Sequence, residues 1–65
     1  MKVRVNGNYM DVKAKTIAEL LRELDINPNR VVVEVNLEII KRDRFNDYEI
    51  KEGDSIEIVN FVGGG

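Results

Sequence analysis

Gly63, Gly64 and Gly65 close the sequence, directly after a run that alternates like a β-strand and reaches Phe61-Val62. None of the three carries a side chain that could act as acid, base or nucleophile. Their chemical resource is the carboxylate of Gly65 at the end of an unbranched, unhindered tail. Glycine has no Cβ, so such a tail takes backbone angles that other residues avoid and passes through channels too narrow for side chains. Drawn out, residues 61–65 reach roughly 16 Å. That length is enough to put the Gly65 carboxyl inside a partner's active site while the folded body stays outside. Three glycines offer nothing to pack, so the tail is expected to be mobile when free.

The composition narrows the remaining chemistry. Within these 65 residues there is no cysteine and no histidine. Disulfides, thiolate or imidazole metal sites and catalysis by either side chain are therefore excluded, and no bound cofactor is expected. Ten Lys and Arg stand against 12 Asp and Glu, a formal charge of −2 with both signs scattered. A nucleic-acid surface would need a basic patch, so no nucleic-acid partner is expected. No apolar run approaches the length of a membrane span, and no basic-then-apolar leader follows Met1. A cytoplasmic protein without a membrane partner is the expectation.

The elements that must hold the tail can be read in order. Met1, Val3 and Val5 alternate with Lys2 and Arg4, the signature of a half-buried strand. Asn6-Gly7 is a hairpin signal because both residues tolerate positive φ, and alternation resumes from Tyr9 through Met10 to Val12. Thr16 to Glu19 fits a capping box, with the Thr16 hydroxyl on the third helical N–H and Glu19 reaching back to the Thr16 amide. Ile17, Leu20, Leu21 and Leu24 then form one apolar stripe, and Asn27-Pro28-Asn29 is expected to end the helix. Val31 to Val35 is a β-branched strand with Val31, Val33 and Val35 facing the core. Asn36-Leu37-Glu38 turns into a brief strand at Ile39-Ile40. Lys41 to Asp47 is a loop or single helical turn anchored by Phe45. Glu52-Gly53-Asp54 is a turn rather than an acid pair or cation site, and Ser55 to Val62 is the final strand.

A hairpin, a helix and two or more further strands specify an α+β layer architecture. The first and last strands cannot be hairpin neighbours, so they are placed side by side and parallel at the sheet centre. This is a ubiquitin-like β-grasp: a mixed four- to five-stranded sheet with one helix across one face. Residues 1–62 form the domain, and 63–65 the tail.

Val35-Asn36, Glu38-Ile39-Ile40, Arg42, Gly53-Asp54, Ile56-Glu57-Ile58-Val59 and Val62-Gly63-Gly64-Gly65 carry a resemblance that spans essentially the whole chain. The chain resembles the ubiquitin-like sulfur carriers, and more narrowly the ThiS family of thiamin thiazole biosynthesis. Lys41 and Phe45 depart from the family pattern, which often has proline and tryptophan or tyrosine there. The resemblance implies that a ubiquitin-activating-type adenylating enzyme joins the Gly65 carboxyl to AMP from ATP. Sulfur from a cysteine-derived persulfide then replaces AMP, and thiazole synthase draws on the resulting thiocarboxylate. On this reading the chain is a carrier and co-substrate, not an enzyme. The same tail chemistry serves carriers of other pathways, such as molybdopterin synthase or tRNA thiolation, and ubiquitin-like modifiers.

A carrier needs a docking surface. With Ile56 and Ile58 inward, Glu57, Val59 and Phe61 face out, which breaks the polar pattern of a solvated sheet face. Val59, Phe61 and Val62 are therefore the expected docking residues. Lys2 and Arg4 are expected beside them, and Val32 and Glu34 across the third strand. Lys41, Arg42 and Arg44 form a solvated face that could meet an acidic partner.

Overall fold

The structure is a computed structural model that describes residues 1–61. Val62, Gly63, Gly64 and Gly65, and with them the expected boundary between domain and tail, lie outside the described residues.

Lys2–Val5 forms β1 and Asn8–Asp11 forms β2, paired antiparallel. Asn6 and Gly7 between them have φ of 50° and 84°. Two left-handed residues in succession match the right-handed strand twist, and glycine adopts that conformation without a Cβ penalty.

Helix α1 spans Ile17–Glu23. Thr16 caps it, its Oγ1 accepting from the Glu19 amide at 3.2 Å. The other half of the expected capping box differs. Glu19 Oε1 accepts from the Lys15 amide at 2.8 Å, not from that of Thr16. Thr16 is engaged in an isolated antiparallel bridge with Glu49 and is itself extended, while the chain bends at Lys15.

The helix also ends earlier than the proline signal implies. Asp25 takes φ 59°, its amide bonding Arg22 O at 3.1 Å, while Ile26 N–H reaches back to Leu21 O at 2.8 Å. That pair of bonds satisfies the last carbonyls in the manner of a Schellman cap. Pro28 instead opens a short 3-10 turn, Pro28–Arg30, capped by the Asn27 side chain. Leu24, at the C-cap, is half-buried rather than fully core.

Val31–Val35 forms β3, Glu38–Ile40 β4 and Ser55–Asn60 β5. The five strands lie in the order β2-β1-β5-β3-β4, so β5 occupies the middle, parallel to β1 and antiparallel to β3. The first and last strands are therefore parallel neighbours, as the element order required.

Val3, Val5, Val31, Val33, Val35, Ile56 and Ile58 supply the buried sheet positions, and Ile17, Leu20 and Leu21 the buried helix positions, of one core. Val12, Ala14, Ile40, Phe45 and Ile50 complete it, with Phe45 anchoring the 3-10 turn Arg42–Arg44. Each large aliphatic side chain removed from water here contributes about 1.5–3 kcal/mol.

Candidate functional site

Everything the tail can do depends on how β5 is held. Val31 and Asn60 are the last paired residues of β3 and β5, and the next amide, Phe61 N–H, donates to the Arg30 carbonyl at 3.0 Å. Backbone bonding thus continues to the last described residue, although the strand itself ends at Asn60. On the other flank β1 turns away at Gly7 before it can pair with Ile58. The Asn6 side chain fills that place, accepting from Ile58 N–H and donating to Ile58 C=O. The root of the tail is therefore fastened from both sides.

The face of the sheet away from α1 is open. On it Val59 lies directly opposite Val32, and Glu57 directly opposite Glu34. Glu34 in turn faces Ile39 of β4. Val59 is 54% exposed, Val32 41% and Ile39 63%. Three aliphatic side chains thus stand in water on adjacent strands, interrupted by two carboxylates. Phe61 is half-buried, and Val62 lies outside the described residues. Ile39 was absent from the expected surface. Its signal was the burial of Ile40, which by alternation turns Ile39 outward.

The expected basic rim lies elsewhere. The parallel register sets Arg4 against Ser55 and Val5 against Ile56, so Lys2 and Arg4 flank the start of β5, not Val59. Arg4 instead lies over the Tyr9 ring, 4.7 Å from its centroid, and donates to the Tyr9 hydroxyl. Sequence alternation cannot set the offset between two strands that are far apart in the chain.

The remaining charged groups hold turns. Asp54 accepts from Lys51 N–H at 2.8 Å and from the Asn36 side chain at 3.1 Å, and Glu52 accepts from Lys2 N–H at 3.2 Å. Two groups depart from their ordinary titration. The Met1 ammonium at 2.9 Å holds Asp11 below the usual carboxylate range, and Asp47 raises Arg44. Asp11 stands at the β2 edge of the open face and Arg44 in the 3-10 turn after β4, so neither is beside Val59. Among the described residues no group of three carboxylates is placed to hold a metal ion, and no helix is long and apolar enough to cross a membrane. Gly63, Gly64 and Gly65, the tail proper, lie outside the described residues.

Comparison with known proteins converges on one family. The model of the ThiS family matches residues 3–65. The sulfur carrier protein ThiS of Bacillus subtilis is 43% identical over 67 residues, covering 97% of this chain and 98% of that protein. Two proteins named thiazole synthase are also similar over all of this chain. That of Paramagnetospirillum magneticum is 39% identical and that of Magnetococcus marinus 38%. The chain spans only 20% of the length of each. The crystal structure of a thiamine biosynthesis protein (ThiS) from Geobacter metallireducens has a TM-score of 0.86 and 35% identity, with both chains covered completely.

Proposed function

This chain belongs to the ThiS family, and we propose that it is a sulfur carrier of thiamin biosynthesis whose reactive group is the Gly65 carboxylate. The observation that carries this reading is a family match that runs through Gly65, on a body whose central strand ends at Asn60, five residues before it in the sequence. No catalytic side chain is required of the chain, because its own carboxyl is the substrate.

The steps follow from carboxylate chemistry. A carboxylate is a poor electrophile. A Gly65 oxygen attacks the α-phosphorus of ATP in an adenylating enzyme, forming an acyl-adenylate and releasing pyrophosphate. A persulfide's terminal sulfur attacks the carbonyl carbon, and AMP leaves. A thiol reductant splits the resulting acyl disulfide and leaves a thiocarboxylate on Gly65. Its nucleophilic sulfur is then delivered to thiazole synthase. Partnership with that enzyme draws support from the two relatives named thiazole synthase, each of which contains a stretch similar to this whole chain.

The folded body serves as the grip. Val32, Val59 and Ile39 on the open face, with Phe61 and Val62 at the tail's root, form the surface that the adenylating enzyme takes hold of. Aliphatic groups exposed together on one face and interspersed with charge have the composition of a transient interface.

Incubation with ATP and the adenylating enzyme tests the proposal through pyrophosphate release. Wild-type chain should support turnover. Deletion of Gly65 should abolish it while thermal melting stays unchanged, and turnover by the deleted chain would refute the role of that carboxyl.

A further inference from the structure

The chain is net acidic, yet the end of the sheet from which the tail leaves is not. Arg30 is the residue whose carbonyl receives the Phe61 amide. Its neighbour Asn29 accepts from an Arg42 guanidinium nitrogen at 3.0 Å. The short turn that opens β3 is thereby held from the β5 side by the tail's root and from the β4 side by Arg42. Both arginines are exposed. Among the described residues the ion pairs are Met1 with Asp11 and Arg44 with Asp47, so neither Arg30 nor Arg42 is neutralised there. Asp43, next to Arg42 in sequence, pairs with neither.

We infer that Arg30 and Arg42 form a cationic docking pair beside the tail, which recognises carboxylates on the rim of the channel that receives it. The inference rests on the proposed function, since it presumes an enzyme that takes the tail. Arg42 bonds Asn29, the residue before Arg30, so the two arginines are brought together beside the root of the tail.

Geometry also selects a protein rim over the nucleotide. A drawn-out tail sets the Gly65 carboxyl roughly 16 Å beyond the strand. The reacting phosphate lies at that far end, while the arginines stay at the mouth. Guanidinium forks pair with carboxylates through two parallel hydrogen bonds. Charges at a rim act mainly on encounter and orientation, and therefore on the carrier's KM rather than on kcat.

The test is steady-state pyrophosphate release by the adenylating enzyme with the carrier as varied substrate, at low and high salt. The double variant Arg30→Glu/Arg42→Glu should raise KM for the carrier by about tenfold or more at low salt, with kcat unchanged. Its KM should also lose most of the salt dependence seen for wild type. Arg22→Glu, on α1, is the control and should leave KM near wild type. Arg42→Lys, which keeps the charge but not the fork, should lie between. Matching melting curves exclude loss of fold. If wild type turns over and the double variant shows the same KM and salt dependence, the docking pair is refuted and the carrier function stands. If wild type yields no pyrophosphate, the carrier function fails and the docking pair fails with it.

Discussion

The carboxamide of Asn6 accepts from the Ile58 amide at 2.7 Å and donates to the Ile58 carbonyl at 3.1 Å. It extends the parallel ladder by one peptide after β1 has turned away, since the Asn6 amide itself already donates to Ile56 O at 2.9 Å. One residue thus makes the left-handed turn, at φ 50°, and holds the strand that leads to the tail. Asn6→Asp isolates the second role, because aspartate tolerates the same backbone region and keeps the acceptor but loses the donor. The variant should lose about 1–3 kcal/mol in urea unfolding, the cost of leaving the Ile58 carbonyl unpaired. Unchanged stability would mean that water replaces this bond without penalty.

The turn between β3 and β4 holds Asn36 at φ 52° and Leu37 at φ 73°. Leu37 is 90% exposed, so no burial compensates for a left-handed conformation that a branched chain disfavours by about 1–2 kcal/mol. Leu37→Gly should therefore stabilise the fold by about 1 kcal/mol, after subtracting the greater freedom glycine brings to the unfolded chain. In a domain of this size that corresponds to a rise in melting temperature of about 4–8 °C. A lower melting temperature would show that Leu37 makes a stabilising contact.

Glu34 and Glu57 face each other directly across β3 and β5. Like charges in opposite positions on one sheet face repel, and opposite charges attract, by about 0.2–1 kcal/mol. Glu57→Lys should raise stability by that amount at low salt, and the gain should shrink as salt screens the pair. A destabilised variant would contradict the assigned register.

Much of this arrangement was legible in the residues. The alternation of Val31, Val33 and Val35, and of Ile56 and Ile58, located the buried face, and the stripe Ile17, Leu20, Leu21 located the helix. That Val32 and Val59 share a face follows from the same alternation, while their direct pairing is set by the register of β3 against β5. Other features depend on relationships that composition does not carry. The register of β1 against β5 moved Lys2 and Arg4 away from Val59. Aspartate at 25 ended the helix in a conformation that glycine would have announced and aspartate does not. Asn6 read as a turn residue, and its side-chain bond to Ile58, 52 positions on, has no local signature.

The open face gives a prediction of its own. Val59→Asp puts a charge on an exposed position of the central strand, at a cost to stability of only about 1 kcal/mol. Binding to the adenylating enzyme should nonetheless weaken markedly in a titration. Phe61→Ala should likewise weaken binding while the fold stays intact. Affinity equal to wild type in both variants would remove the docking role of this face.

The central claim is that the Gly65 carboxyl is itself the group on which sulfur travels. Its most direct test is the intact mass of the chain after incubation with ATP, the adenylating enzyme, a persulfide donor and a thiol reductant. The predicted result is a gain equal to replacing one oxygen by sulfur, located to Gly65 by fragmentation and lost when Gly65 is deleted. A mass that stays unchanged while pyrophosphate is released, or a sulfur located on any other residue, would contradict it.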